Sequence, residues 1–171
     1  MGRRNASARR SRQLATGQKT MNITIAAVGR MKAGAEKSLW DDYAKRLGWS
    51  LTLKEVEEKK PLKPPQMKIK EAGLLLDALP KGALLIAMDR NGRPLSSPAF
   101  AKKLGAWQDD GIRDIAFVIG GSDGLDKSVL DQAQLKIAMG EMTWPHMLAR
   151  VMLLEQIYRA QCILSNHPYH K

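Results

Sequence analysis

Two continuous apolar runs, Ala83–Asp89 and Ile115–Ile119, constrain the fold more than any other feature of the sequence. Each run has the length of a strand and is apolar at consecutive positions, which is typical of a strand that is covered on both faces in a parallel sheet. Each is followed by turn-forming residues and then by a helical segment. Strands that alternate with helices predict an α/β fold, a mostly parallel sheet flanked by helices.

The same patterns divide the rest of the chain from Met21 onward. The predicted strands are Ile23–Val28, Leu51–Val56, Ala83–Asp89, Ile115–Ile119 and Leu135–Met139. The predicted helices are Glu36–Leu47, Met67–Leu79, a helix opening at Ser97-Pro98, Lys127–Gln134 and Met147–Ile163. The predicted irregular segments are a mobile loop at Glu57–Pro65, a turn at Asn91-Gly92 and a polar tail at Ser165–Lys171. No repeat or internal boundary is visible, so residues 21–171 are predicted to form one domain.

The net charge of +11 is unevenly spread. The first twenty residues carry six cations and no acid. Residues 1–20 are therefore predicted to be a disordered basic arm. Three interpretations of the arm are open: an extension of the domain, a leader that resembles an organelle transit peptide, or a misassigned start with translation beginning at Met21. The rest of the chain is also basic, and cations on both parts favour a polyanionic partner such as nucleic acid.

Several classes of protein are not indicated. No apolar stretch is long enough to span a bilayer. Cys162 is the single cysteine, which agrees with a reducing cytoplasmic compartment, and no cluster with the spacing of metal ligands is present. GxGxxG, GxxxxGK[ST] and GxSxG motifs are absent, so dinucleotide-binding, triphosphate-binding and α/β-hydrolase chemistry are disfavoured.

Ligands of open parallel sheets bind outside the carboxyl ends of the strands. Three predicted strand ends lead into irregular segments: Met88-Asp89, Gly120–Gly124 and Gly140–His146. Glycines at 120 and 121 would let a ligand approach the backbone closely, although a plain turn is the common role of a glycine pair. Pro145 favours an extended Trp144, which would present a flat apolar surface suited to an adenine-like ligand. These segments predict a binding pocket.

The predicted closing helix is apolar around most of its circumference. One face of a sheet cannot cover such a helix, and no later element follows to cover the other side. The second side is therefore predicted to be a subunit interface in a homodimer. Glu155 and Arg159, four residues apart in the favourable order, are predicted to form a surface ion pair.

Five motifs, in order, carry a resemblance over residues 21–171. They are Ile25-Ala26-Ala27-Val28-Gly29, Phe117 through Leu125 (FVIGGSDGL), Met142 through His146 (MTWPH), Arg150-Val151 with Leu154 through Ala160 (LEQIYRA), and Asn166 through Lys171 (NHPYHK). Together they resemble the ribosomal RNA large subunit methyltransferase H family, a minimal group of SPOUT methyltransferases. The resemblance implies a SPOUT-type α/β knot with a C-terminal trefoil and a site for S-adenosyl-L-methionine, the methyl donor, in the knot loops. The implied cofactor-binding residues are Met88, Gly120, Gly121, Met139, Gly140, Glu141, Met142, Thr143 and Trp144.

The resemblance also implies a reaction. Its members methylate N3 of a pseudouridine in helix 69 of 23S rRNA within the assembled 70S ribosome. An enzyme of this kind must orient the base and favour loss of the N3 proton, so Arg150 is a candidate for stabilising the developing imide anion. His146, His167, Tyr169 and His170 are candidates for positioning the base or relaying the proton, against the alternatives that His146 caps the closing helix and that the tail is disordered. The tail is expected to fold over the pocket of its own or the partner subunit.

A competing hypothesis is a ribosome-binding protein that has this fold without catalysis. Stoichiometric binding of S-adenosylmethionine would separate the two, because a protein that only binds RNA has no need of the methyl donor.

Overall fold

The structure is a computed structural model that describes residues 20–171. Its centre is a sheet of five parallel strands in the order β2-β1-β4-β3-β5. The strands are β1 (Asn22–Val28), β2 (Ser50–Val56), β3 (Leu84–Pro94), β4 (Asp114–Ile119) and β5 (Leu135–Ala138). The predicted α/β class and parallel sheet are confirmed. The predicted basic arm lies outside the described residues up to position 19.

Helices follow the strands on both faces of the sheet. They are α1 (Ala35–Arg46), α2 (Pro64–Asp77), α3 (Ser97–Asp109), α4 (Lys127–Leu130) and α5 (His146–Leu164), with a 3-10 turn at Pro168–His170. The predicted helix over Lys127–Gln134 is half as long as expected, because α4 ends at Leu130. The helix predicted to open at Ser97-Pro98 begins at Ser97, and its cap is the preceding Ser96, whose Oγ accepts a hydrogen bond from the Ala99 N–H at 3.2 Å. In residues 20–171 no helix is long and apolar enough to cross a membrane.

The continuous apolar runs are explained by two separate cores. On β4, Phe117 packs in the larger core with α1, α3 and α5, while Val118 packs in the smaller core with α2 and α4. Because successive side chains of a strand point to opposite faces, a strand covered on both sides is apolar at every position. The sheet is therefore the middle layer of three.

The predicted turn at Asn91-Gly92 is wrong, because β3 continues through it to Pro94. Met88 pairs with Ile137, and after a shift of register Arg93 pairs with the same residue of β5. A Cβ atom on Gly92 would lie 2.7 Å from the backbone of Ile137. Glycine is thus required there because two backbones approach closely within an irregular strand. Asn-Gly is also common in tight turns, so the dipeptide by itself does not distinguish the two structures. The trefoil knot stays a prediction from the resemblance.

Candidate cofactor site

The segments that follow β3, β4 and β5 converge on one cavity of about 570 Å³. Most of the predicted cofactor-binding residues line it: Met88, Gly120, Gly121, Met139, Gly140, Met142, Thr143 and Trp144. Glu141 belongs to the same loop but does not line the cavity. The structure therefore brings together the three strand ends that the sequence indicated. Their contacts with a cofactor stay a prediction.

The loop after β4 is folded tightly on itself. Gly120 is buried, and a Cβ atom there would lie 2.7 Å from the backbone carbon of Gly124. At Gly121 a Cβ atom would instead meet the end of a flexible side chain, the Glu71 Oε2 atom at 2.8 Å. Glycine at position 120 is therefore needed to form this wall of the cavity, and the plain-turn interpretation does not account for its burial.

The loop after β5 presents apolar groups at the rim of the cavity. The Trp144 Nε1–H donates a hydrogen bond to the Met139 carbonyl at 3.1 Å, which fixes the indole against its own loop. Met142 is 75% exposed, an unusual position for a large apolar side chain. Pro145 precedes α5, and His146, the first residue of that helix, is half-buried in the cavity wall.

Charged side chains adjoin the loop after β4. Lys68 of α2 and Asp123 line the cavity, and the Glu71 carboxylate lies behind Gly121. Burial, and after it the negative charge of Asp123, raises the pKa of Glu71. Lys68 and Glu71 were not among the residues predicted from the sequence. Their spacing of three residues on a helix indicates that they share a face, but it does not indicate that this face meets a ligand cavity.

Arg150 does not line the cavity; its side chain is 0% exposed. Its guanidinium donates hydrogen bonds to Glu55 Oε1 at 2.8 Å, the Val28 carbonyl at 2.6 Å and the Gly29 carbonyl at 2.9 Å. Burial lowers the pKa of Arg150, and the Glu55 carboxylate opposes that shift. These contacts tie α5 to the carboxyl ends of β1 and β2, which favours a positioning role. The predicted contact between Arg150 and a substrate imide stays a prediction.

The C-terminal tail is ordered against α5. The Tyr169 hydroxyl donates to Glu155 Oε1 at 3.0 Å and lies 3.3 Å from the Tyr43 hydroxyl. The Tyr169 ring packs edge-on to Tyr158, with ring centroids 4.8 Å apart, and lies under the Arg159 guanidinium at 4.9 Å. Burial, with the hydrogen bonds to Tyr43 and Glu155, raises the pKa of Tyr169. The alternative of a disordered tail is therefore wrong for this part of the chain.

The remaining predicted tail residues are exposed. His167 accepts a hydrogen bond at Nδ1 from the Tyr169 N–H at 3.2 Å, and His170 Nδ1 lies 3.5 Å from Arg159 Nη1. The predicted pair of Glu155 and Arg159 is confirmed at 2.6 Å, but both side chains are more buried than a surface pair. Neither Tyr169 nor His170 lines the cavity of its own chain.

An apolar groove of about 610 Å³ lies beside the cavity. It runs between α1, α3 and α5 and shares Met88, Met139 and Gly140 with the cavity. Over residues 20–171 no group of three or more histidine, cysteine or acidic side chains is placed to hold a metal ion.

Residues 21–170 match the family described as "Predicted SPOUT methyltransferase". The chain is 55% identical over 151 residues to the ribosomal RNA large subunit methyltransferase H of Rhodospirillum centenum, with 88% of this chain and 99% of that protein covered. It is 51% identical, with the same coverage, to the protein of that name from Paramagnetospirillum magneticum.

Among solved structures, the fold resembles that of a probable methylase family protein from Haemophilus influenzae Rd KW20. The TM-score is 0.55 at 18% sequence identity, over 88% of this chain and 71% of that one. The family match spans nearly the whole described chain, and the relatives match over almost their full length. The chain therefore belongs to the SPOUT methyltransferase family.

Proposed function

We propose that this protein is an S-adenosylmethionine-dependent methyltransferase that acts on large-subunit ribosomal RNA. The observation that carries the proposal is the convergence of three strand-end segments on one glycine-lined cavity in a member of a methyltransferase family. Relatives at 55% and 51% identity over 99% of their length are named as ribosomal RNA methyltransferases, which supports the substrate class.

The residues present fit the methyl donor. A cavity of about 570 Å³ is within the size range of small-molecule sites, and its lining combines apolar side chains with polar and charged groups. Gly120, Gly121 and Gly140 line the cavity, and glycines let a ligand approach the backbone closely. Met139 and Met142 supply apolar contact. The wall holds two acids, Asp89 and Asp123, and two cations, Lys68 and Arg90, which suits a donor that carries both a positive sulfonium and a carboxylate. When bound, the donor would supply an electrophilic methyl group.

From the resemblance we propose that the acceptor is N3 of a pseudouridine in helix 69 of 23S rRNA, within the assembled 70S ribosome. Of the five predicted candidates for catalysis, His146 is the one in the cavity wall, at the start of α5. It is therefore our candidate for orienting the base or accepting its N3 proton. Arg150 would act through the loop that it holds. A cytoplasmic location follows from a ribosomal substrate, and no resident metal is proposed.

We further propose a homodimer formed through the apolar groove along α5. The groove adjoins the cavity and contains Leu39, which is 46% exposed, and Met152. Association there would cover the second side of α5 and place the tail of one subunit, with Tyr169 and His170, near the cavity of the other. A purely monomeric protein at micromolar concentration in light scattering would contradict this arrangement.

Calorimetry with S-adenosylmethionine tests the enzymatic proposal. Stoichiometric binding is expected, whereas the absence of binding heat would favour the non-catalytic ribosome-binding alternative. Mass spectrometry of 23S rRNA from a deletion strain should then show loss of one methyl group in helix 69. The isolated stem-loop should be a poor substrate compared with assembled ribosomes, because a chain of this size has little surface for reading sequence. Efficient methylation of the free stem-loop at physiological salt would contradict recognition of the assembled particle.

A further inference from the structure

The loop that joins β1 to α1, residues 29–34, begins beside the cofactor cavity. β1 lies next to β4 in register, with Ala27 opposite Ile119, so the residues after both strands emerge side by side. A Cβ atom on Gly29 would lie 3.8 Å from the Met147 Cε atom. Met147 directly follows His146, which lines the cavity. The β1–α1 loop thus begins beside the first turn of α5, in which His146 and Ala149 line the cavity.

This loop is held in place from several directions. The Gly29 N–H donates to the Val56 carbonyl at 2.8 Å, and the Met31 N–H donates to Glu55 Oε1 at 2.7 Å. The same carboxylate oxygen accepts a hydrogen bond from Arg150, whose other contacts are the carbonyls at the end of β1. The buried arginine and Glu55 therefore fix the path of a loop that has no strand partner beyond its first residue.

The side chains that the loop presents to solvent are basic. Arg30 is 70% exposed, and its contact with Glu57 is long, at 3.8 Å. Lys32 is exposed, and residues 29–34 contain no acid. Hydrogen bonds at Gly29 and Met31 hold the backbone that carries these exposed cations. Cations on such a backbone are suited to phosphate oxygens, because less backbone entropy is lost on binding.

We propose that the β1–α1 loop binds phosphates of the RNA strand that presents the target base, with Arg30 and Lys32 as the contacts and Arg150 and Glu55 as positioning residues. The proposal rests on the proposed function, since it assigns the RNA-binding element of the same site. It gives Arg150 a role in RNA recognition that requires no contact with the reacting base.

The test compares two variants with equal loss of charge. Arg30→Ala/Lys32→Ala removes the loop cations. Lys81→Ala/Arg113→Ala removes two exposed cations that precede β3 and β4, at the amino ends of the strands and therefore on the side of the sheet away from the cavity. The measurements are the affinity for 70S ribosomes from the deletion strain over a range of salt concentrations, the KM and kcat for methylation of those ribosomes, and the affinity for S-adenosylmethionine.

Each phosphate contact contributes about 0.7 to 0.9 to the slope of log affinity against log salt concentration. Between 1 M and 0.1 M salt this corresponds to about fivefold to eightfold in affinity. The salt dependence of the loop variant should therefore be weaker, with a slope reduced by the contribution of one or two phosphate contacts. Its KM should be at least about fivefold higher, and its affinity for the cofactor should be unchanged. The control variant should stay within about twofold of wild type. Equal losses in both variants, or no loss in the loop variant, would overturn the proposal.

The positioning role is tested by a double-mutant cycle. Glu55→Gln should raise the KM for the particle at temperatures where the variant is folded, and its effect should be less than additive with Arg30→Ala/Lys32→Ala, because both act through the same contact. Full additivity would overturn the role of Glu55. Ribosome binding is measured without turnover. A wild-type protein that binds 70S ribosomes but neither binds the cofactor nor methylates would therefore refute the proposed function, not the loop assignment.

Discussion

Replacement of Glu55 by glutamine should destabilise the fold far more than its position on an edge strand would suggest. Arg150 is 0% exposed and Glu55 is 27% exposed, so the arginine would stay buried without its counter-charge. Removing one partner of a buried pair costs about 3–5 kcal/mol. Two features lower this cost: Glu55 is partly accessible to solvent, and two carbonyls still accept hydrogen bonds from the guanidinium. We therefore expect a loss of about 2–3 kcal/mol in the free energy of unfolding.

The assay is urea unfolding and thermal melting of wild type, Glu55→Gln and Glu57→Gln. At about 2–4 °C per kcal/mol for a domain of this size, the melting temperature of the Glu55 variant should fall by about 4–12 °C. Glu57 is the matched control: it faces Arg30 at 3.8 Å with both side chains exposed, and such pairs contribute about 0–1 kcal/mol.

A second replacement tests whether the uncompensated charge of Arg150 causes the loss of stability. Arg150→Met in the Glu55→Gln background removes the uncompensated charge and should recover part of the lost free energy of unfolding. The reasoning would be refuted if Glu55→Gln lay within about 0.5 kcal/mol of wild type, as Glu57→Gln should, or if the second replacement only added to the loss.

Three further outcomes are expected. Gly120→Ala should distort the cavity wall at a cost of about 1–3 kcal/mol and weaken S-adenosylmethionine binding in calorimetry at least about fivefold, whereas Gly121→Ala should be milder because the Glu71 side chain can move; equal losses would contradict this. Burial raises the pKa of Glu71, so the folded state disfavours its charged form: Glu71→Gln should be more stable than wild type in urea unfolding near pH 7.5, and the difference should vanish below about pH 4. A difference that grew on acidification would refute the sign. Tyr169→Phe loses the bond to Glu155 and should cost about 1 kcal/mol and speed hydrogen exchange in the tail, while unchanged exchange would show that ring packing alone holds it.

Much of the architecture follows from local patterns. Continuous apolar runs such as Ile115–Ile119 predict strands covered on both sides, and the rule that ligands bind at the carboxyl ends of parallel strands was sufficient to select the segments around Met88, Gly120 and Trp144. The motifs of the resemblance fall on the same segments. These predictions succeed because periodicity and turn chemistry are properties of neighbouring residues.

The errors occurred where distant parts of the chain decide local structure. Asn91-Gly92 has the composition of a turn, but the passage of β5 beside it makes it part of β3. The sequence left open whether the polar tail is disordered or folds over a pocket, and it did not indicate that Tyr169 has partners on both α1 and α5.

Sequence alone determined that this chain has a parallel α/β sheet, a basic character and glycine-rich strand ends that meet at one edge. Only the tertiary structure decided that Arg150 is buried against Glu55, a residue 95 positions away, and that this pair holds the β1–α1 loop beside the cavity. The physical reason is that hydrogen bonding and burial depend on which surfaces meet in space, and an amphipathic pattern specifies that a face is covered without specifying what covers it.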